Sequence, residues 1–413
     1  MSARVAVAPP RVRAPRRFGL SVDPRIYTGN RVQLLVNGAD YFPALLAAID
    51  NASRSVYLET YIFADDAVGQ RVIEALTVAA QRGVDVRLVI DGFGGGEHAR
   101  QMVRRLAESG AHVKIFRPER WWRLERKLLR RLHRKLATVD DVVAFVGGIN
   151  IIDDHHHAEG EDERLGPRFD FAVRIEGPLV AAVAITMRRL WWTLALVDPR
   201  AEAEPMPHTI MQPRPGGFPG GVAAALLLRD NLRNRRTIET AYLQAIDDAR
   251  EEVLLANAYF IPTRRFRNAL RKAAKRGVRV RLLLQGRAEY ALQYYAQRAL
   301  YGQLLDDGIE IHEYVASYLH AKVGVVDRYW ATVGSSNIDP YSLLLAREAN
   351  VVVFDHRFAL RLAGELDHAI AQDARPLHAA DYARRGLIAR GLDWIAYMLV
   401  GFATVTLARG RNY

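Results

Sequence analysis

One set of polar residues occurs twice in this chain, and the two copies match position by position. Each has a histidine, a lysine two residues later, an aspartate five residues after the lysine, and then a glycine and an asparagine at equal distances. The first copy is His133, Lys135, Asp140, Gly147 and Asn150, and the second is His320, Lys322, Asp327, Gly334 and Asn337. A single copy arises easily by chance, whereas two extended copies predict a duplicated domain.

Other segments repeat in the same order ahead of these two sets. The pairs are residues 49–52 with 246–249, 56–63 with 253–260, 79–88 with 273–282, and 110–116 with 308–314. A chain of 413 residues is long enough for two domains that each bury a core. The repeats therefore predict two related domains rather than a solenoid of short units.

Hydrophobic patterns within each half alternate between strands and helices. In the first half, residues 56–63 and 84–90 predict strands, and residues 70–81 predict a helix that ends at Gly83. This alternation predicts an α/β sandwich with a mostly parallel sheet.

The two histidine sets lie on a different local pattern. Paired strands are predicted at residues 136–139 with 142–146, and at residues 323–326 with 329–333. Asp140 and Asp327 belong to the sets but fall at the hairpin turns, where aspartate often bonds nearby backbone, so we expect them to have a structural role.

Composition marks the ends of the two halves. The first 20 residues are rich in arginine and lack an apolar stretch, so we expect residues 1–30 to form a flexible basic arm. Residues 198–221 are rich in proline and glycine and look like a linker. With the boundary near Pro205, we expect domains at residues 31–204 and 205–375, followed by an apolar and basic tail at 376–413.

The repeated residue types suit chemistry at a phosphodiester. A neutral imidazole can attack phosphorus, and a second, protonated imidazole can give its proton to the departing alcohol. Lysine ammonium groups and asparagine amides would stabilise the charged oxygens of the transition state. Alternate side chains of a strand share a face, so one histidine and one lysine from each copy can reach a common pocket. The chemistry needs no metal or other cofactor, since the lysines supply positive charge.

Each histidine also needs a partner for its other ring nitrogen, which fixes the tautomer. Asp170 and Glu348 each follow a histidine set and begin a β-rich run. We therefore expect Asp170 to orient His133 and Glu348 to orient His320.

The two sets match the signature of the phospholipase D superfamily, and residues 32–354 resemble that family. Within it, residues 130–135, 256–260, 273–278 and 330–340 are similar to the bacterial cardiolipin synthases, particularly the B-type. The resemblance implies a duplicated phospholipase D-type α/β/α sandwich, with two pseudo-twofold-related domains and one shared active site.

The resemblance also implies a reaction, a ping-pong phosphatidyl transfer through a phosphohistidine. Phosphatidylglycerol would be both donor and acceptor, and the products would be glycerol and cardiolipin. The N-terminal histidine is often the nucleophile in relatives, which favours His133 with His320 as acid and base. The pseudo-twofold symmetry makes the opposite assignment almost as reasonable.

The net charge of +12 favours an anionic partner. We expect an anionic phospholipid membrane containing phosphatidylglycerol and cardiolipin, and no nucleic acid. The absence of cysteine excludes disulfides and thiolate metal sites. We expect a peripheral or monotopic protein on the cytoplasmic face of a bacterial inner membrane.

Two segments are candidates for contact with lipid. Trp121, Trp122, Arg123 and Arg126 begin an amphipathic stretch that leads into the first histidine set. The tail contains Trp394 at the start of an uncharged run that is short for a full membrane crossing. For both segments the alternative is packing on the protein itself.

Other functions remain open at this stage. The same site could hydrolyse phospholipids to phosphatidic acid, or could cleave nucleic acid, although the tryptophan-arginine segment argues against a nuclease. A non-enzymatic membrane scaffold would not need two intact histidine-lysine sets. Residues 155–157 are consecutive histidines that could bind a metal, but a surface loop is the simpler interpretation.

Overall fold

The computed structural model describes residues 25–94, 98–117, 131–156, 165–196, 217–230, 234–339 and 346–409. The strands are β1 (Ile26–Val36), β2 (Ser55–Thr60), β3 (Asp85–Asp91), β4 (His112–Phe116), β5 (Arg131–Leu132), β6 (Lys135–Val139), β7 (Val143–Gly147), β8 (Phe171–Glu176), β9 (Val222–Arg229), β10 (Glu252–Asn257), β11 (Arg279–Gln285), β12 (Glu310–Tyr314), β13 (Lys322–Val326), β14 (Trp330–Gly334), β15 (Ala346–Phe354) and β16 (Ala374–Leu377). The helices are α1 (Asn37–Asp50), α2 (Ala67–Gln81), α3 (His98–Glu108), α4 (Val180–Ala195), α5 (Thr237–Asp248), α6 (Arg264–Lys275), α7 (Ala291–Arg298), α8 (Tyr301–Asp306), α9 (His356–Gln372), α10 (Ala379–Ala383) and α11 (Leu387–Arg409).

The strand order repeats between the two halves. The first half runs β1-β8-β7-β6-β2-β3-β4, and the second runs β9-β15-β14-β13-β10-β11-β12-β16. The innermost strands β1 and β9 pair with each other and join the two sheets. The predicted duplication is therefore present in the architecture.

The expectation of a mostly parallel sheet is wrong. In the first half β2, β3 and β4 are parallel, but β6, β7, β8 and β1 pair antiparallel. The second half follows the same pattern. The reason is local, because three-residue connections at residues 140–142 and 327–329 join their strands, and so short a connection permits only antiparallel pairing. The first two residues of each connection, Asp140-Asp141 and Asp327-Arg328, have positive φ between 48° and 54°.

Helices α2 and α6, which correspond to each other in the two halves, are capped in the same way. Asp66 caps α2 by accepting a 2.8 Å hydrogen bond from the Gly69 backbone N–H. Thr263 caps α6 in the same way through the Phe266 N–H. Gly83 and Gly277 follow the two helices with φ of 87°, a conformation that glycine adopts without strain. The predicted helix end at Gly83 is confirmed.

Strand β1 corrects the predicted extent of the basic arm. Ile26 and Tyr27 lie opposite Ala225 and Ala224 of β9, so the last residues of the segment 1–30 belong to the sheet. Apolar and aromatic residues favour a strand wherever a partner edge is present, and β9 supplies that edge. Residues 1–24 and most of the predicted linker lie outside the described residues.

The core has three main parts. One lies between the halves and combines valines of β7 and β8 with valines of β13, β14 and β15. The other two lie under the outer helices, one with α1 and α2 and the other with α5 and α6. The central part fixes how the halves sit on each other, and thereby fixes any site that they share.

The tail forms helix α11, which packs against α7. Ala396 and Val400 are buried in the second half's core, and buried Asp393 pairs with Arg385. The opposite face of α11 is apolar and exposed. No helix among the described residues combines the length and the apolar character that crossing a bilayer requires.

Candidate active site

The two histidines are held by backbone pairing between the halves. The His133 N–H donates to the Arg347 carbonyl at 3.0 Å, and the His320 N–H donates to the Phe169 carbonyl at 2.9 Å. Arg347 precedes Glu348, and Phe169 precedes Asp170. Each histidine therefore lies beside the carboxylate-bearing segment of the other half.

The expected pairing of histidines and carboxylates is wrong, because the pairs cross between the halves. His133 Nδ1 lies 3.1 Å from Glu348 Oε1, and His320 Nδ1 lies 2.6 Å from Asp170 Oδ2. The cause is the docking of the halves, in which β15 pairs with β5 and Phe169 bridges to Leu319. A carboxylate at Nδ1 favours the tautomer with its proton on Nδ1 and leaves Nε2 available for chemistry.

The two carboxylates are not equivalent. Burial raises the pKa of Asp170 to about 6, despite nearby Lys322. Burial also opposes ionisation of Glu348, but the neighbouring His133 and Lys135 outweigh it and lower the pKa of Glu348. The Ser335 hydroxyl donates a further 2.5 Å hydrogen bond to Glu348 Oε2.

Both lysines are buried beneath the histidines. Lys135 Nζ donates to the His133 carbonyl at 2.6 Å, and Lys322 Nζ donates to the His320 carbonyl. Burial lowers the pKa of Lys135 to about 7 and also lowers the pKa of Lys322. Burial and both lysine charges hold the pKa of His320 well below its ordinary value. Burial therefore disfavours the charged forms of Lys135, Lys322 and His320, and a bound anion would favour them.

The two asparagines reach the same cavity. Asn150 Oδ1 accepts a 3.0 Å hydrogen bond from the Ile62 N–H, while Asn150 and Asn337 both line the cavity wall. Asn337 is only 6% exposed, and its Oδ1 has no donor in the described part of the chain. Each half thus presents one amide side chain to the cavity.

The motif aspartates lie at the far end of the hairpins from the histidines. A five-residue strand separates Lys135 from Asp140, a distance of roughly 16 Å. Asp140 accepts backbone hydrogen bonds from Ser53, Arg54 and Ser55 at 2.7–2.9 Å. Asp327 accepts the equivalent three from residues 250–252, each at 2.9 Å. This geometry supports the structural role expected for both aspartates.

A cavity of about 430 Å³ opens between the halves and is lined by both histidines, Asp170 and Glu348. The repeated pattern does not include several other lining residues, which are Tyr61, Arg131, Asp154, Arg168, Tyr259 and Glu289. The ring centroid of Tyr61 lies 4.9 Å from that of His133. Tyr61 directly follows β2, and its place at the carboxyl end of a parallel strand is the signal that would have identified it.

The remaining predicted site residues are not at the cavity or are not described. Trp394 is 52% exposed on α11 and does not line the cavity. Trp121, Trp122, Arg123, Arg126 and His157 lie outside the described residues. His155 and His156 are exposed. Among the described residues, no group of three or more His, Asp or Glu side chains is arranged to hold a metal ion.

Comparisons with known proteins agree with this architecture. A family model described as "Cardiolipin synthase, PLD-like domain" matches residues 45–163 and 242–370. Cardiolipin synthase B of Escherichia coli (strain K12) is 38% identical over 348 residues, which cover 84% of this chain and 82% of that protein. The major cardiolipin synthase ClsA of Bacillus subtilis (strain 168) is 28% identical over 375 residues, covering 90% of this chain and 75% of that protein.

A solved structure shares the fold. The crystal structure of phosphatidylserine synthase from Haemophilus influenzae Rd KW20 superposes with a TM-score of 0.67 at 15% sequence identity. The match covers 91% of this chain and 93% of that chain, so the likeness extends over both halves.

Proposed function

Because this chain belongs to the cardiolipin synthase family of phospholipase D-like proteins, we propose that it is a phosphatidyltransferase that makes cardiolipin from two molecules of phosphatidylglycerol. One observation carries the proposal. Two imidazoles, each hydrogen-bonded through Nδ1 to a buried carboxylate of the opposite half, line a single cavity.

In the first half-reaction, His133 Nε2 attacks the phosphorus of the donor lipid. The bond between phosphorus and the glycerol oxygen breaks, and that oxygen takes a proton from His320 Nε2. Free glycerol leaves, and the phosphatidyl group remains bound to His133 as a phosphohistidine. Lys135 and Lys322 stabilise the charge on the phosphoryl oxygens as it grows.

In the second half-reaction, His320 takes a proton from the hydroxyl of the acceptor phosphatidylglycerol. The acceptor oxygen attacks phosphorus, the P–N bond breaks, and cardiolipin is released. His133 is again neutral and His320 is again protonated, so atoms and charge balance over the cycle. Water in place of the acceptor would give phosphatidic acid instead.

The charges around His320 suit a general acid that becomes protonated when its substrate binds. Burial and the two lysines hold the pKa of His320 well below its ordinary value. A phosphodiester anion bound beside the lysines opposes their effect and raises that pKa again. His320 would therefore take up its proton as the substrate binds.

We propose that the enzyme reaches its substrate at an anionic bilayer, on the cytoplasmic face of a bacterial inner membrane. The exposed face of α11 supports this role. It carries six large apolar side chains that are each at least 54% exposed, namely Ile388, Leu392, Ile395, Met398, Leu399 and Phe402. The neighbouring Arg384 and Arg390 are also exposed and would favour anionic headgroups.

The direct test is incubation with vesicles of labelled phosphatidylglycerol, with and without phosphatidylethanolamine, followed by separation of the lipids. We expect labelled cardiolipin and an equal amount of free glycerol. Phosphatidic acid as the main lipid product would indicate a hydrolase, and unchanged phosphatidylglycerol would refute the proposal. His133→Ala and His320→Ala should each abolish cardiolipin formation.

A further inference from the structure

The two sides of the cavity differ, although the histidine sets repeat. On the His133 side, the ring of Tyr61 lies against the imidazole. In the repeat, the small side chain of Ala258 takes the place of Tyr61. The His320 side is instead polar, with side chains that the reaction described above does not use. This asymmetry indicates that the two sides hold different parts of the substrates.

Asp154 is connected to the carboxylate that holds His320. Asn37 exchanges two hydrogen bonds with Asp170, from Asn37 N–H to the Asp170 carbonyl at 2.8 Å and from Asp170 N–H to Asn37 Oδ1 at 3.0 Å. The next residue, Gly38, donates its N–H to Asp154 Oδ2 at 2.6 Å. Asp154 also lines the cavity between the halves.

A second carboxylate on this side is already neutralised. Glu289 Oε1 lies 2.8 Å from Arg168 Nη1, and Glu289 Oε2 accepts a 2.9 Å hydrogen bond from the Tyr259 hydroxyl. The Arg168 N–H donates to the Asp154 carbonyl at 3.0 Å, which ties this group to Asp154. Gln293 of α7 lines the same cavity.

An ionised carboxylate repels a bound anion. Its presence in this pocket is explained if it binds another, uncharged part of the ligand. Burial and the nearby charge of Asp170 raise the pKa of Asp154 to about 6, so it is still an anionic acceptor above neutral pH. The buried Oδ1 of Asn337 is a further acceptor in this cavity without a donor in the described part of the chain. Hydroxyl groups supply such donors without adding charge.

We propose that Asp154, with Glu289 and Gln293, forms an alcohol subsite beside His320 that binds a neutral polyhydroxy headgroup. The inference rests on the proposed function and specifies its acceptor. The leaving glycerol and the attacking alcohol exchange protons with the same imidazole, so both occupy this subsite. An amino alcohol carries an ammonium group in place of the second hydroxyl, and the cations that act on neighbouring Asp170, which are Lys322, Lys135 and Arg168, oppose the attraction of that group to Asp154.

The test is a headgroup-exchange assay on unlabelled phosphatidylglycerol vesicles, with isotopically labelled glycerol, ethanol or ethanolamine added as the competing alcohol and label in the lipid fraction as the measure of exchange. We expect the wild-type protein to use glycerol in preference to the other two. Asp154→Asn should reduce the glycerol-over-ethanol ratio about tenfold or more, as expected when a charge-assisted hydrogen bond is lost. Asp153→Asn is the matched control, since the Asp153 side chain accepts a hydrogen bond from the His155 N–H and does not line the cavity. This variant should keep the wild-type ratio.

An unchanged glycerol-over-ethanol ratio in Asp154→Asn would overturn the subsite, and so would a wild-type preference for ethanolamine. If Asp154→Asn does not fold, the same fall in the glycerol-over-ethanol ratio is expected for Glu289→Gln. An unchanged ratio in Glu289→Gln would count equally against the subsite. Equal loss of activity toward every alcohol would show a general role and would also overturn it. A wild-type protein that forms neither cardiolipin nor exchange products would instead refute the proposed function.

Discussion

At the scale of single residues, each imidazole depends on a carboxylate from the other half of the chain. Glu348 holds His133 and accepts a second hydrogen bond from Ser335, and these groups with Lys135 offset its burial, whereas burial prevails at Asp170 beside His320 and raises its pKa. Each half alone would therefore contain a histidine without its orienting partner. The crossed pairs make the two halves interdependent in chemistry as well as in packing.

Asp170→Asn tests the crossed pair at His320. We expect kcat to fall by about a hundredfold or more, because the amide no longer stabilises the imidazolium or fixes the tautomer. His133 should still form its adduct with a donor that carries a good leaving group, which needs no acid. Wild-type turnover in Asp170→Asn would contradict the assigned role.

The same variant gives a stability prediction with a definite sign. The folded-state pKa of Asp170, about 6, lies above its ordinary value of 3.8, so the folded protein binds this proton more tightly than the unfolded chain does. That stabilisation is present below pH ~4 and is lost as the pH rises through about 6. We expect Asp170→Asn to match or exceed the wild-type Tm at pH 8, with the difference narrowing below pH ~5 in thermal melts.

At this scale, the repeated motif alone identified the histidines, lysines, asparagines and turn aspartates as a set. It did not identify which carboxylate serves which histidine, because that depends on how the two halves dock. Nor did it identify Asp154 or Glu289, since neither belongs to the repeated pattern. Residues that occur in both repeats can be recognised in a single sequence, whereas residues that distinguish the two sides of the cavity cannot.

At the scale of secondary-structure elements, the hairpins that follow the histidines are closed by the motif aspartates. The φ values near +50° at both turns and the three backbone N–H donors to each carboxylate explain why aspartate suits these positions. The alternating pattern predicted these hairpins correctly. It missed the antiparallel character of most of the sheet, because the periodicity of a buried strand does not report the direction of its neighbour.

Asp140→Asn tests the turn. Burial alone would raise the pKa of Asp140, but the backbone donors outweigh it and lower that pKa. Ionised Asp140 therefore stabilises the folded protein above the ordinary aspartate pKa near 4. This stabilisation is lost as the pH falls through the lower pKa of the folded state. We expect a loss of roughly 1–2 kcal/mol in the free energy of unfolding at pH 7. In denaturant titrations the loss should vanish at acid pH, and a loss that persists there would contradict this account.

Helix α11 is an element whose two faces are both apolar. One face packs against the second half, and the other exposes Ile395 and Leu399 at 58% and 54%. We expect the double variant Ile395→Asp with Leu399→Asp to reduce sedimentation with anionic vesicles by tenfold or more. It removes apolar area that the membrane would bury, and it adds negative charge that anionic lipid repels. Leu360→Asp on α9, at a residue 48% exposed, is the matched control. Equal binding of the double variant and the wild type to the vesicles would show that α11 does not contact the membrane.

At the scale of the whole molecule, the site exists because two duplicated halves bury a common core. Valines from both sheets meet in that core, and the cavity with both imidazoles opens beside it. The sequence predicted the duplication and the shared pocket from matching offsets. It could not predict the crossing of strand segments between halves, since such contacts join residues 150 or more positions apart without any local signal.

The central claim is that one imidazole from each half acts on the same phosphorus atom in different roles. The most direct measurement uses phosphatidyl-p-nitrophenol, whose leaving group needs no acid, followed by mass spectrometry of the quenched protein. We expect a phosphatidyl adduct on His133 that accumulates in His320→Ala and is absent from His133→Ala. An adduct on neither histidine, or cardiolipin formation that persists in His133→Ala, would contradict it.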